Sequence, residues 1–174
     1  MKRRNFLFAA VAGLSSISFI DLWSFVSGGK TVKNAKPIPP FTQENISKKA
    51  LRFFIIGDWG AGGIFQKRVA EAMVTQAQKH KPSYIISTGD NIYPDGVESA
   101  DDTQWKTKFE MMYNHESIAV PWYAVLGNHD YRNNPDAQIE YHAKNPRWNM
   151  PARYYTWSAA SNIDCFMLDT QMIM

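Results

Sequence analysis

Residues 84–93 read Tyr84-Ile85-Ile86-Ser87-Thr88-Gly89-Asp90-Asn91-Ile92-Tyr93: an apolar run, a turn, then a carboxylate, an amide and a phenol. The first four residues suit a strand, and Gly89 lets the backbone turn sharply where strand becomes loop. The same change from apolar run to glycine and polar side chain occurs twice more. Leu51-Arg52-Phe53-Phe54-Ile55-Ile56 runs into Gly57-Asp58-Trp59-Gly60, and Trp122-Tyr123-Ala124-Val125-Leu126 runs into Gly127-Asn128-His129-Asp130.

Between these runs the hydrophobic period lengthens. Phe65, Val69, Met73 and Ala77 recur every four residues, predicting a helix from about Ile64 to His80. Lys79, His80 and Lys81 complement the dipole at its end, and Pro82 stops it. Trp105, Phe109 and Met112 predict a second helix over about Thr103 to Tyr113. Strand, helix, strand, helix, strand predicts parallel βαβ units, with the first strand covered on both faces. Asn134 and Pro135 read as the cap and first-turn proline of a short helix ending near Lys144. The runs 152–158 and 163–168 read as a hairpin or as a pair of sheet strands.

The start of the chain has a different character. Met1-Lys2-Arg3-Arg4-Asn5-Phe6-Leu7 sets two arginines before an apolar stretch from Phe6 to Ile20, broken by Asp21 and short for a membrane span. It resembles a twin-arginine signal and predicts export, to the periplasm or the outside. Residues 1–28 are then a cleaved signal or, for want of a clear Ala-x-Ala site, an uncleaved membrane anchor. Residues 29–48 read as a Gly/Pro-rich linker, and 49–174 as the body of the protein. Six of the 19 basic residues and one of the 16 acidic ones fall within residues 1–40. The remainder carries a net charge of −2 and offers no basic stripe for nucleic acid. The single cysteine, Cys165, excludes an internal disulfide and reads as a small buried hydrophobe.

In open α/β sheets ligands bind beyond the carboxyl ends of the strands, so the three glycine-led ends would meet at one rim. Carboxylates crowded there repel each other and would either take up a proton or recruit a cation. Carboxylate, phenolate and amide oxygens suit hard cations, and two metals about 3.5–4 Å apart can activate water and clamp a phosphoryl oxygen. One Gly-Asp after a strand is more often only a turn or a cap; three in one frame point to a site. His80, His115 and His142 show no ligand spacing, and Asp95, Asp101 and Asp102 read as loop and cap residues.

The blocks "GDWG", "GDNIY" and "GNHD", in this order and spacing, resemble the first three motifs of the calcineurin-like metallophosphoesterases. Tyr93, three residues after Asp90, narrows the resemblance to the purple acid phosphatases, and the lengths between blocks to their tartrate-resistant type 5 branch. That resemblance implies an α/β fold of four layers (α/β/β/α), a β-sandwich flanked by helices, with 49–174 as its N-terminal half. It implies a dinuclear centre of Fe(III) and a divalent Fe, Zn or Mn. Asp58 and Tyr93 would hold the ferric ion, Asp90 would bridge, Asn128 would hold the divalent metal, and His129 would contact substrate phosphate. The implied reaction is attack by a metal hydroxide on a small phosphomonoester.

Two further family blocks, Val-x-x-His and Gly-His-x-His, would supply three histidine ligands, and neither occurs in the 174 residues. The chain thus holds four of seven implied ligands. The resulting expectation is an exported acid phosphatase, truncated here. The alternatives are an inactive fragment or remnant, and a superfamily phosphodiesterase or nucleotidase; Tyr93 speaks against the last.

Overall fold

The computed structural model describes residues 50–171; the expected leader (1–28) and linker (29–48) lie outside the described residues. Strand β1 (Phe53–Ile56) is followed by helix α1 (Gly63–His80), β2 (Tyr84–Ser87), a π-helix (Trp105–Glu110) and a 3-10 turn (Glu116–Ile118). Then come β3 (Trp122–Ala124), a second 3-10 turn (Asp130–Arg132), helix α2 (Asp136–His142), β4 (Trp148–Asn149) and the pair β5 (Tyr155–Ala160) and β6 (Ile163–Met167). No helix among the described residues is long and apolar enough to cross a membrane.

Strands β1 to β4 form one parallel sheet in chain order, and β5 and β6 an antiparallel hairpin. The register sets Phe54, Ile85, Trp122 and Trp148 on one face of the sheet, and Ile55, Ile86, Tyr123 and Asn149 on the other. Ala70, Met73 and Ala77 of α1 pack in the same core as Ile85 and Trp122. At its centre Trp59 stands 5.1 Å from Trp122, 5.5 Å from Tyr113 and 6.0 Å from Phe109 between ring centroids. Such tilted and edge-on aromatic pairs add about 0.5–1.5 kcal/mol each beyond the area they bury. The opposite face receives the hairpin: Trp157 stacks on Tyr123 at 3.6 Å, and the Tyr84 hydroxyl donates to the Ala159 carbonyl at 3.0 Å.

Several local expectations are corrected. The first strand is not covered on both faces: Phe53 and Ile55 are 41% and 61% exposed, because β1 is an edge strand and the hairpin reaches only as far as Tyr84 and Tyr123. The buried stripe of α1 keeps the expected Met73 and Ala77, but its first half is Gln66 and Ala70, one residue on from Phe65 and Val69, which turns Phe65 out to solvent at 76% exposure. The second helix is a π-turn: the Met111 amide bonds to the Lys106 carbonyl, five residues back, at 2.9 Å. Asn134 does not cap α2 with its side chain, which donates instead to the Glu98 carbonyl. Cys165 is only half-buried, because β6 lies at the surface.

Candidate metal centre

The three glycine-led ends do meet. Asp58 lies two residues beyond β1, Asp90 three beyond β2 and Asn128 four beyond β3, all at the carboxyl edge of the sheet. Close packing of the backbones brings the loops together. Gly89 sits at φ +101°, and a Cβ there would stand 2.7 Å from the Gly127 nitrogen. Asp58 and Asp90 adopt left-handed backbone angles, φ 56° and 50°. For a residue with a side chain this costs about 1–2 kcal/mol, and such angles cluster at functional sites.

The Tyr93 hydroxyl lies 2.5 Å from Asp58 Oδ1 and 3.0 Å from Asp90 Oδ2, so one proton serves two carboxylates. Burial, the hydrogen bond to Asp58 and the negative charge of Asp90 push the phenol well above the ordinary tyrosine range. A phenolate here requires positive charge among these oxygens. The other Asp90 oxygen accepts from the His129 amide at 2.9 Å. The His129 ring lies 4.4 Å from the Tyr93 ring, and its Nδ1 stands 2.5 Å from the Pro94 carbonyl. With Nδ1 donating to that carbonyl, Nε2 is the nitrogen left for a ligand.

The donor set fits a hard cation. Asn128 Oδ1 is buried without a hydrogen-bond partner, an arrangement that is costly unless something electropositive meets it. Asp58, Asp90, Tyr93 and Asn128 offer oxygen donors only. Among the described residues no group of three or more His, Cys, Asp or Glu side chains converges at metal-binding spacing. What is assembled is two carboxylates, a phenol, an amide and a neighbouring imidazole.

Asp130 has no role in the sequence reading, yet it organises the loops. It is fully buried, and its carboxylate accepts from the amides of Asn91 (3.0 Å), Ile92 (3.2 Å) and Gly127 (2.9 Å) and from Gln138 Nε2 (2.7 Å). Burial pulls its pKa upward against the pull of these donors. Beneath it, Gln138 accepts from Asn91 Nδ2 at 3.0 Å, Asn91 Oδ1 accepts from the Ser87 hydroxyl, and Ser87 accepts from Trp59 Nε1 at 2.8 Å. This polar chain ties the ligand-bearing loops to the aromatic core. Its only signal in the sequence is an acid following the His of a glycine-led turn. His115 and His142 are structural, the first accepting from the Ser117 amide and the second paired with the Trp148 carbonyl.

The calcineurin-like phosphoesterase family matches residues 51–168. The chain belongs to that family. Within it, the chain is 38% identical over 125 residues to purple acid phosphatase 7 of Arabidopsis thaliana, covering 71% of this chain and 38% of that protein. It is 34% identical over 148 residues to tartrate-resistant acid phosphatase type 5 of Mus musculus, covering 78% and 45%. In structure it is similar to GAP50, the anchor in the inner membrane complex of Plasmodium, with a TM-score of 0.57 and 28% identity over 67% of this chain and 39% of that one. This phosphoesterase chain therefore spans less than half the length of these relatives, and its parallel sheet with flanking helices is the α/β arrangement the family implies.

Proposed function

We propose that this chain carries part of the metal centre of a purple acid phosphatase that hydrolyses small phosphomonoesters. The observation that carries this reading is the Tyr93 phenol set between Asp58 and Asp90 at the rim of the sheet. The similarity to purple acid phosphatases supports it. Asp58 and Tyr93 would hold Fe(III), Asp90 would bridge, and Asn128 would hold a divalent Fe, Zn or Mn. Cations bound there supply Lewis acidity, lowering the pKa of water and offsetting charge on the phosphoryl group. The chain's own residues orient and exchange protons. Asp90 fixes the His129 main chain, the Pro94 carbonyl fixes its ring, and Nε2 faces the phosphate, where the doubly protonated ring would give its Nε2 proton to the leaving oxygen. The twin arginines Arg3 and Arg4 support export to the periplasm or outside, with membrane contact limited to residues 1–28. The net charge of −2 after residue 40 favours a small anionic substrate met at a local cation site over nucleic acid.

Ferric iron added to the chain is expected to produce a visible absorption band from the Tyr93 phenolate, and Tyr93→Phe to remove it; a band that survives the substitution refutes the assignment. With four of seven implied ligands, the 174-residue chain alone is expected to hydrolyse p-nitrophenyl phosphate negligibly at acidic pH. Sustained turnover that Asp90→Ala abolishes would overturn that second expectation.

A further inference from the structure

The π-helix is not part of the metal-ligating set, yet it grips the loop that carries Tyr93. Such turns make up well under about 1% of residues in folded proteins and concentrate at functional sites. Gln104 immediately precedes this one, and Lys108 lies four residues on, on the same helix face. Lys108 Nζ donates to the Tyr93 carbonyl at 2.5 Å and to Gln104 Oε1 at 2.6 Å. Gln104 Nε2 in turn donates to the Gly96 carbonyl at 3.1 Å, so the turn holds both ends of the segment Tyr93–Gly96.

A second tie comes from α1. Gln66 Nε2 donates to the Lys108 carbonyl at 2.6 Å, and Gln66 Oε1 accepts from the Gly62 amide at 2.7 Å. Lys108 therefore stands between the loop after Asp58 and the loop after Asp90, which also meet directly where the Tyr93 amide donates to the Gly60 carbonyl at 2.9 Å. Its ammonium is half-buried and spends two of its three donors on these contacts.

The geometry points to Lys108 as the positioning residue of the Tyr93 loop: its ammonium holds the Tyr93 carbonyl, and thereby sets where the phenol stands between Asp58 and Asp90. Its importance for catalysis rests on the phosphatase reading; its grip on the loop does not. A hydrogen bond from a charged donor is stronger than one between neutral groups, and losing it frees the segment locally without touching the aromatic core.

Amide hydrogen exchange on the full chain tests this without metal. In Lys108→Met, exchange at the Tyr93 and Gly96 amides is expected to rise about tenfold or more, while the Ile85 and Val125 amides of the sheet keep their rates. Lys108→Cys in a Cys165→Ser background, alkylated with 2-bromoethylamine to restore an ammonium of nearly lysine length, is expected to return the slow exchange. Unchanged rates at Tyr93 and Gly96 overturn the proposal. A uniform rise across the sheet, loss of folding, or failure of the alkylated form to recover makes Lys108 merely structural and overturns it too. A visible ferric band that survives Tyr93→Phe would sink the ferric-phenolate reading alone, leaving the exchange result standing.

Discussion

Asp130→Ala is expected to remove about 4–6 kcal/mol of folding stability, as much as a small domain has in total. The carboxylate is fully buried and takes three main-chain amides, the Gln138 side-chain amide and, at 3.4 Å, the Asn91 side-chain amide. Alanine would leave these donors without acceptors in a site closed to water, at about 1–3 kcal/mol each before relaxation. Two of the main-chain amides belong to the Asp90 loop and one to the Asn128 loop, so the substitution also releases the ligand-bearing segments from each other. Asp130→Asn keeps the shape and one acceptor oxygen but turns an NH2 group towards donors, and is expected to lose about half as much. Urea unfolding followed by tryptophan fluorescence reads both, since Trp59 joins the same network through Ser87. A midpoint for Asp130→Ala equal to that of the unsubstituted chain would show that the loops hold without this carboxylate.

That Asp130 escaped the sequence reading while Asp58 and Asp90 did not has a physical cause. A ligand at the end of a parallel strand leaves a mark: an apolar run, a glycine, then the polar group. Tyr84–Ser87 running into Gly89 and Asp90 shows it plainly. A carboxylate that bonds main-chain amides leaves none, because any residue supplies an amide. Gln138, eight residues away on α2, is equally silent for the same reason. The π-turn was unreadable because Trp105 and Phe109, four apart, are buried alike in an α-helix and in this wider turn. Strand β4 is two residues long, too short for any period to show. Phe65 misled because a helix whose stripe begins at Gln66 buries a polar residue there, and Gln66 has its amide committed to Gly62 and Lys108. At Gln66 polar partners, and not hydrophobicity, decided the orientation.

The exposed face of β1 follows from the same limits of pattern. Phe53 and Ile55 lie on the side that the hairpin covers over Tyr84 and Tyr123, but at the edge strand itself they remain 41% and 61% exposed. An apolar run reports that a strand can be covered on both faces, and is silent on whether the covering element lies nearby in the chain.

Gly127→Ala is expected to damage the candidate site directly, because the added methyl group meets a proposed metal ligand. A Cβ at this position would lie 2.2 Å from both the main-chain nitrogen and Oδ1 of Asp90, where real Cβ contacts under 3.0 Å essentially never occur. Both obstructing atoms belong to a residue held on two sides. Asp90 Oδ1 is bonded to the His129 amide and Oδ2 to the Tyr93 hydroxyl, so the side chain cannot swing away without breaking one of them. The main chain has little room either, because Gly89, next to Asp90, already packs closely against the Gly127 main chain. The strain falls on the group proposed to bridge two cations. Overpacking of this kind costs about 1–3 kcal/mol in stability, whereas disturbing the support of a metal ligand lowers affinity by about 10–100-fold. The two effects separate experimentally: iron titrated into Gly127→Ala should show the affinity loss at temperatures where unfolding shows the variant still folded. Undiminished iron binding in a folded Gly127→Ala chain would mean that the Asp90 loop is free to move, and that the close approach of the two loops is not what fixes the ligands in place.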